Sequence, residues 1–350
     1  MTNPAAAVQR LADVRTRLID AEADAVHTAL VEWLGRSGVE RNLHAALDRF
    51  EGRMRDVESG ACIVRTFCPE LASSVQSGDV LPRVIDLPGG ESALARIRFR
   101  ADGNNVRFIA VEAMTFAPRT TEEVDGLLAG LQQAFAPFQP RRVRVYVHGG
   151  ARGEGAGVMS AIPAHPRATA YKRLLAAPLV MLQERAATLA SDDASEGGGG
   201  IPTVTVAPPT TFDFYDDYAR RYEQFWRERP DLKHLVRCET LDDLMSFHAA
   251  GGLRLVLIGG EIAGVMAASP GVEHGLRGWW MRERFLYDTH RGQGLGAAAL
   301  AAFLRSLPSR PHDLLYGTIA PKNQPSMRSA LALGRVDVGG LWWIELPHAR

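Results

Sequence analysis

The sequence predicts an α/β protein of the α+β type, in which helices flank a mixed and mostly antiparallel sheet. Three observations predict this fold class and the division of the chain into two lobes. The 350 residues exceed the usual size of one compact domain. A segment rich in Asp, Ser and Gly interrupts the chain at 191–202, and strand and helix patterns occur on both sides of it. We therefore expect an N-terminal α/β lobe over 1–190, a flexible linker over 191–202 and a second lobe over 203–350.

The charge and cysteine content narrow the possible functions. The 40 basic and 40 acidic residues balance, so the chain lacks the basic charge of nucleic-acid binders and a reason to bind acidic membranes. Three scattered cysteines without a Cys-x-x-Cys pair indicate neither a disulfide framework nor zinc. The amphipathic N-terminus is not a signal peptide, and no apolar run could cross a bilayer. We expect a cytoplasmic protein that uses no metal and acts on a small molecule. Whether it forms a homodimer is left open by the sequence.

In the N-terminal lobe, a helical pattern runs from Ala5 to about Arg55. Two β-rich runs follow, joined by the turn 102–105, and predict a hairpin. Thr120 then begins a helix with apolar periodicity that ends near Phe138, and "RRVRVYVHGG" alternates as a strand closed by glycines. This lobe is therefore expected to pair strands antiparallel before its helix.

The C-terminal lobe has a clearer order of elements. After the strand "IPTVTVAP", helices are predicted over 213–228 and 240–249. The segments "LRLVLIGGEIAGVMAAS" and "RGWWMRERFLYD" then predict a three-stranded meander, followed directly by a glycine-rich turn and a helix. The strand "DLLYGTI", a helix from about Gln324 to Leu333 and a closing strand pair around Gly339-Gly340 complete the lobe.

The glycine-rich turn is the strongest functional signal. The segment "RGQGLGAAALAAFL" at 291–304 follows a strand that ends at Asp288 and begins a helix near Gly294. Unpaired N–H groups and the positive end of a helix dipole meet there, and glycine lets a phosphate approach the backbone. The alternative is that the glycines only permit a tight turn and close helix packing.

Two other phosphate motifs are excluded. Gly294 to Ala299 formally fits the dinucleotide fingerprint, but the preceding strand belongs to an antiparallel meander and the next strand ends without a carboxylate. A Walker-type loop would need Gly-Lys-Ser/Thr, which is absent.

The C-terminal lobe resembles the GNAT acyl-CoA-dependent N-acetyltransferases over roughly 203–347. The family's pyrophosphate loop, Q/R-x-x-G-x-G/A, fits 291–296 position by position, and the order of elements is the family's order. Asn323 is similar to the Asn that opens the family's penultimate helix region. Leu333-Gly334-Arg335 is similar to its L-G-F ending, with Arg in place of the aromatic residue.

The resemblance implies acetyl-CoA as co-substrate, no metal, and transfer of the acetyl group to an amine of a small, amino-acid-like molecule. A backbone N–H near Leu286 or Tyr287 would hold the thioester carbonyl, and the pantetheine amides would pair with strand edges where two strands part. The implied coenzyme contacts are Leu286, Tyr287, Asp288, Arg291, Gly292, Gln293, Gly294, Leu295, Gly296, Ala297 and Asn323.

Direct transfer needs a base for the amine and an acid for the thiolate. Glu283 is our first candidate for the base, because it lies inside a strand; an ion pair with Arg282 or Arg284 is the alternative. The family's acidic Tyr position is occupied by Ala330. Tyr316 or Tyr287 could replace it, as could water, although both tyrosines also suit core packing.

The N-terminal lobe repeats the outline of strand, turn, helix and strand, which predicts a degenerate second copy of the GNAT-like fold. Val124 stands where the first loop glycine would be, and Glu122-Glu123 would repel a pyrophosphate. An unrelated α/β domain is the alternative. For the whole chain we expect an acyl-CoA-dependent N-acyltransferase, the alternative being a non-catalytic acyl-CoA sensor or scaffold of the same fold.

Overall fold

A computed structural model describes residues 3–100, 106–149, 160–195, 203–233 and 235–347. The helices within these ranges are α1 Pro4–Ala25, α2 Thr28–Leu34, α3 Arg36–Met54, α4 Val57–Phe67, α5 Thr121–Ala134, α6 Leu179–Ser195, α7 Tyr215–Glu228, α8 Leu241–Ala249, α9 Leu295–Ser306 and α10 Gln324–Ala332. The strands are β1 Arg83–Asp86, β2 Ser92–Arg100, β3 Val106–Met114, β4 Arg142–His148, β5 Ala168–Pro178, β6 Val204–Ala207, β7 Leu253–Ile258, β8 Glu261–Glu273, β9 Leu276–Leu286, β10 Leu314–Ile319 and β11 Val336–Glu345. The predicted mixed α/β fold class is confirmed.

The chain forms two compact units. Unit 1 comprises 1–174, 272–276 and 337–350, and unit 2 comprises 175–271 and 277–336. These bounds differ from the lobes expected at 1–190 and 203–350, because the chain crosses between the units four times. The linker expected over 191–202 also begins as helix, since α6 continues to Ser195. Residues 196–202 lie outside the described part of the chain.

In unit 1 the strand order is β1-β2-β3-β4-β11-β5. The expected hairpin is formed by β2 and β3, which pair antiparallel, while its turn at 102–105 lies outside the described residues. Helix α5 then connects β3 to β4, which pair parallel. Apolar side chains of α5, including Val124, Leu127 and Leu131, pack against the strands in one core.

The end of the chain differs from the sequence prediction. We expected two strands separated by a turn at Gly339-Gly340, but β11 is continuous and pairs antiparallel with β4 from Gly339 to Glu345. A Cβ at Gly339 would overlap the hydroxyl of Tyr146, and one at Gly340 would lie 2.7 Å from an Arg173 nitrogen. The two glycines therefore make room for neighbouring side chains within a strand.

In unit 2 the strand order is β5-β10-β9-β8-β7-β6. β7 and β8 pair antiparallel and β9 is hydrogen-bonded to β8, in the order of the predicted meander. β6 pairs antiparallel with β7, and β9 pairs parallel with β10 through the connection by α9. The two larger cores among the described residues of this unit differ in composition. One contains the small and leucine side chains of α9, and the other contains the aromatic side chains of α7 and α8.

None of the helices in the described ranges is long and apolar enough to cross a membrane.

Gly278 provides a test of the pairing between β9 and β10. Its φ is +139°, and a Cβ there would overlap the backbone of Leu314. We expect Gly278→Ala to lower the free energy of unfolding by about 2 kcal/mol or more, because the strands would have to separate. Chemical denaturation measures this change. Gly126→Ala in α5, where nothing lies within 4 Å, is the control and should be neutral or stabilising. Equal effects of both substitutions would contradict the described pairing.

Candidate functional site

The glycine-rich turn presents an open helix N-terminus. A short 3-10 turn, Asp288–His290, links β9 to the glycines, and Gly292 and Gly294 both have φ of +77°. Gly294 caps α9 in the left-handed conformation, and no side chain of the described residues caps this helix. Gly292, Gln293, Gly294 and Ala297 are exposed. The first N–H groups of α9 and its positive dipole end are therefore accessible to an anion.

The corresponding helix of unit 1 is closed by its own residues. The Thr120 hydroxyl accepts a hydrogen bond from the Glu123 N–H at 3.2 Å, and the Glu123 carboxylate accepts one from the Arg119 N–H at 2.6 Å. Glu122 and Glu123 also place negative charge in the first turn of α5. The two helices follow strands in the same way, but only α9 can receive an anion at its N-terminus.

Strands β9 and β10 part beside the open turn. They pair at three positions, from Gly278 with Leu314 to Trp280 with Tyr316. β9 continues to Leu286 and β10 to Ile319 beyond this ladder. The facing backbone edges can therefore accept an extended group that carries amides.

The side chains of β9 also change faces within this region. Trp279 and Met281 pack in the α9 core, whereas Phe285 and Tyr287 pack in the aromatic core of α7 and α8. Regular alternation would place all four on one face. The change of face therefore falls between Met281 and Phe285, and Glu283 lies within this stretch of β9.

Glu283 is held by tyrosine hydroxyls in the aromatic core. Its carboxyl is 4% exposed and accepts hydrogen bonds from Tyr218, from Tyr222 at 2.9 Å, and from the Arg284 N–H at 2.7 Å. Burial raises the pKa of Glu283 to about 8, although the tyrosine hydrogen bonds act in the opposite direction. The carboxyl is therefore mostly protonated at neutral pH.

The alternative interpretation of Glu283 as half of an arginine ion pair is not supported by its contacts. Arg282 donates to the Ser269 hydroxyl at 2.7 Å and stacks on Trp280, while Arg284 donates to the Gly296 carbonyl at 3.4 Å. The sequence analysis missed Tyr218 and Tyr222 as functional candidates. Their spacing of four residues places them on one face of the predicted helix, and this was the available signal.

The two candidate acids occupy different surroundings. Tyr287 is 2% exposed, its ring lies 4.3 Å from the Arg221 guanidinium, and its hydroxyl has no partner among the described residues. Burial raises the pKa of Tyr287 to about 12. Tyr316 is fully buried and packs beside Trp280, 5.4 Å between ring centroids.

The Tyr287 backbone N–H is already in use, since it donates to the Ala263 carbonyl at 2.8 Å. This bond corrects the expectation that the Tyr287 N–H could hold a thioester carbonyl, because an N–H donates one good hydrogen bond at a time. The neighbouring Leu286 carbonyl also has a partner, because it accepts a hydrogen bond from Arg291.

The Arg291 side chain points inward, contrary to its expected contact with a pyrophosphate. Its Nε donates to the Leu286 carbonyl at 2.6 Å, and its guanidinium lies 4.7 Å from the Phe285 ring and 4.9 Å from the Phe225 ring. Arg284, which donates to Gly296 in the first turn of α9, is the cation beside the turn. Sequence reasoning treated Arg284 only as a partner of Glu283.

The remaining expected contacts support the local structure. Asp288 accepts from Arg221 at 2.9 Å, and Gln293 donates to the Thr289 carbonyl at 2.8 Å. Leu295 is buried with Ile258 and Ala263. Asn323 caps α10 by accepting from the Ser326 N–H at 3.4 Å. In the described part of the chain, no group of three or more His, Cys, Asp or Glu residues could hold a metal ion.

No protein-family model and no curated protein matches this chain. Solved structures similar to it include a GCN5-related N-acetyltransferase from Kribbella flavida, with 16% identity and a TM-score of 0.44 over 84% of this chain and 96% of that one. A GCN5-related N-acetyltransferase from Sphaerobacter thermophilus has 14% identity and a TM-score of 0.45 over 80% and 85%. A tandem GNAT protein from the clavulanic acid biosynthesis pathway has 15% identity and a TM-score of 0.42 over 75% and 82%.

The raised pKa of Glu283 predicts a pH-dependent stability. The folded chain keeps a proton that the unfolded chain releases above its usual pKa of 4.5. The stability contributed is therefore complete below pH about 4.5, falls as the pH rises, and is lost above about 8. Thermal melts of the wild type and Glu283→Gln measure it, and the melting temperature of the variant relative to the wild type should rise between pH 5 and pH 8.5.

Glu261→Gln, which removes an exposed carboxylate from the start of β8, is the control and should show a constant difference. A constant difference for Glu283→Gln as well would contradict the raised pKa.

Proposed function

We propose that this protein is a cytoplasmic acyl-CoA-dependent N-acyltransferase that acts on an amine of a small, amino-acid-like molecule, with acetyl-CoA as its simplest donor. The observation that carries the proposal is the uncapped N-terminus of α9 behind exposed Gly292 and Gly294, directly beside the parting of β9 and β10. An anion site next to unpaired strand edges suits a ligand that carries a pyrophosphate and an amide-containing arm.

The coenzyme would be held mainly by the backbone. The N–H groups from Gly292 to Ala297 receive the pyrophosphate, with Arg284 supplying the nearest positive charge. The pantetheine arm lies between β9 and β10, and its amides pair with the strand edges. Asn323, which follows β10 in the sequence, caps the N-terminus of α10 and holds it in place.

The transfer joins the acceptor nitrogen to the thioester carbonyl carbon while the C–S bond breaks. The amine loses one proton and the departing thiolate gains one, so the products are an amide and free coenzyme A. Glu283 in its ionised form takes the amine proton through a bridging water, because a carboxyl this deeply enclosed has no room to contact the amine. Tyr316 or Tyr287 returns a proton to the thiolate.

Unit 1 is proposed as a degenerate copy of the same fold that binds no coenzyme. Support comes from the shared order of a strand, a helix and a second strand parallel to the first, β3-α5-β4 in unit 1 and β9-α9-β10 in unit 2. Support also comes from Thr120 and Glu123, which close the N-terminus of α5.

The loop assignment predicts one coenzyme site per chain. Calorimetry should give a stoichiometry of one for acetyl-CoA or coenzyme A. Gly296→Leu should abolish binding because the added side chain would meet the Arg284 guanidinium and the Leu286 side chain and displace them at the first turn of α9. Gly126→Leu in α5 is the matched control and should bind normally. Circular dichroism checks that both variants fold. A stoichiometry of two, or unchanged affinity of Gly296→Leu, would overturn the assignment.

The role of Glu283 predicts a loss of rate without a loss of coenzyme affinity. Glu283→Gln should lower kcat by about two to four orders of magnitude, because the amide keeps the shape but cannot accept the proton. Thiol release from acetyl-CoA with a panel of amines measures turnover. Wild-type kcat should rise with pH and level off above about pH 8, the pKa of the Glu283 carboxyl. Glu112→Gln, at a buried carboxylate of unit 1, should change stability but not the rate.

Near-normal turnover of Glu283→Gln at saturating acceptor across neutral pH would contradict the role of Glu283 as the base. Asp288 or solvent would then accept the amine proton. Tight coenzyme binding without release of thiol by any amine would instead favour the acyl-CoA sensor.

A further inference from the structure

Two arginines at the parting of β9 and β10 have no anionic partner among the described residues of unit 2. Arg335, between α10 and β11, is 6% exposed. Its Nη2 donates to the carbonyls of Leu175 at 2.6 Å and Gly317 at 3.2 Å, while its Nε has no acceptor among the described residues. Arg284 contacts the Gly296 carbonyl, and neither arginine forms an ion pair within the described part of unit 2.

Arg335 lies where the two strands begin to separate. Gly317 is the first residue of β10 after the last paired residue, Tyr316. A Cβ at Gly317 would lie 3.0 Å from the Met281 Cβ of β9 and 3.3 Å from the Arg335 Nη2. A Cβ at Gly296 would likewise lie 3.3 Å from the Arg284 Nη2. One guanidinium therefore lies beside the first turn of α9, and the other at the closed end of the parting.

A buried cation without a counter-charge is unfavourable. Burial, together with the smaller effect of the Arg284 charge, lowers the pKa of Arg335 to about 9. Unit 1 offers a direct comparison, because Arg173 is similarly buried but pairs with both oxygens of Asp337 at 2.8 to 3.2 Å. Arg335 thus lacks, among the described residues, the counter-charge that Asp337 gives Arg173, and an anionic ligand would supply that charge.

We propose that the acyl group of the donor ends in a carboxylate and that Arg335 receives this carboxylate. The inference rests on the proposed function, because the coenzyme arm between β9 and β10 would deliver the acyl group to the closed end of the parting. The donor class is a short dicarboxylic acyl-CoA, such as a malonyl or succinyl thioester. During transfer the C–S bond breaks and the amide forms as above, while the free carboxylate is unchanged. Arg284 adds positive potential nearer the pyrophosphate.

The test compares donors that differ in one charged group. Calorimetry would measure the binding of succinyl-CoA, its uncharged counterpart butyryl-CoA and free coenzyme A to the whole chain. We expect the wild type to bind succinyl-CoA at least about tenfold more tightly than butyryl-CoA, as a charge-assisted pair in a buried site would give. Arg335→Met should remove this preference and leave the affinities for butyryl-CoA and coenzyme A within about threefold.

Arg328→Met removes an exposed arginine of α10 and should keep the preference. Equal affinities of the wild type for succinyl-CoA and butyryl-CoA, or an unchanged preference in Arg335→Met, would overturn the inference while leaving the proposed function intact. An equal loss for all three ligands would also overturn it, because Arg335 would then bridge carbonyls or contact the coenzyme. If Arg335→Met does not fold, two other results test the inference. The wild type should still bind succinyl-CoA more tightly than butyryl-CoA, and Arg335→Lys should keep part of this preference. Failure of every ligand to bind the wild type would instead contradict the proposed function.

Discussion

The parallel strands β9 and β10 stay paired only as far as Trp280 and Tyr316, and the rest of the candidate site depends on the backbone beyond that point. Buried peptide groups need hydrogen-bond partners, so a sheet that opens must supply them in other ways. On one side the Glu283 carboxyl accepts from the Arg284 N–H, and on the other Arg335 donates to the Gly317 carbonyl. The start of α9, which no side chain of the described residues caps, lies beside the same opening. The buried Glu283 carboxyl and the Arg335 guanidinium, which has no anionic partner among the described residues of unit 2, therefore both lie where this strand pairing ends.

A carboxylate on the corresponding strand of unit 1 shows how surroundings decide chemistry. Glu112 of β3 is paired with Arg96 at 2.8 Å, with Arg144 nearby. Burial would raise its pKa, but the charges of Arg96 and Arg144 lower it below the usual range. Glu283 has tyrosines where Glu112 has arginines, and its pKa moves the other way. Glu112 thus remains ionised and can only stabilise structure, whereas Glu283 can exchange a proton near neutral pH.

Local patterns predicted the elements of unit 2 well, because apolar periodicity and turn residues act over a few positions. Helix α9, the meander and the glycine turn were all predictable in this way. The continuous strand β11 was not, because Gly339 and Gly340 look like a turn, and only the side chains of Tyr146 and Arg173 from distant segments explain them. Arg291 was misjudged for the same reason, since its aromatic neighbour Phe225 comes from another helix. Sequence patterns do not reveal which distant residues will meet.

The final strand has a consequence for how the protein is made. β11 lies beside β4 in unit 1, although almost 190 residues separate the two strands in the chain. During synthesis β4 emerges well before β11, and the edge of β4 that β11 covers stays unpaired in the meantime. Such an edge invites pairing with other chains. The sheet of unit 1 is therefore completed only after β11 has been synthesised.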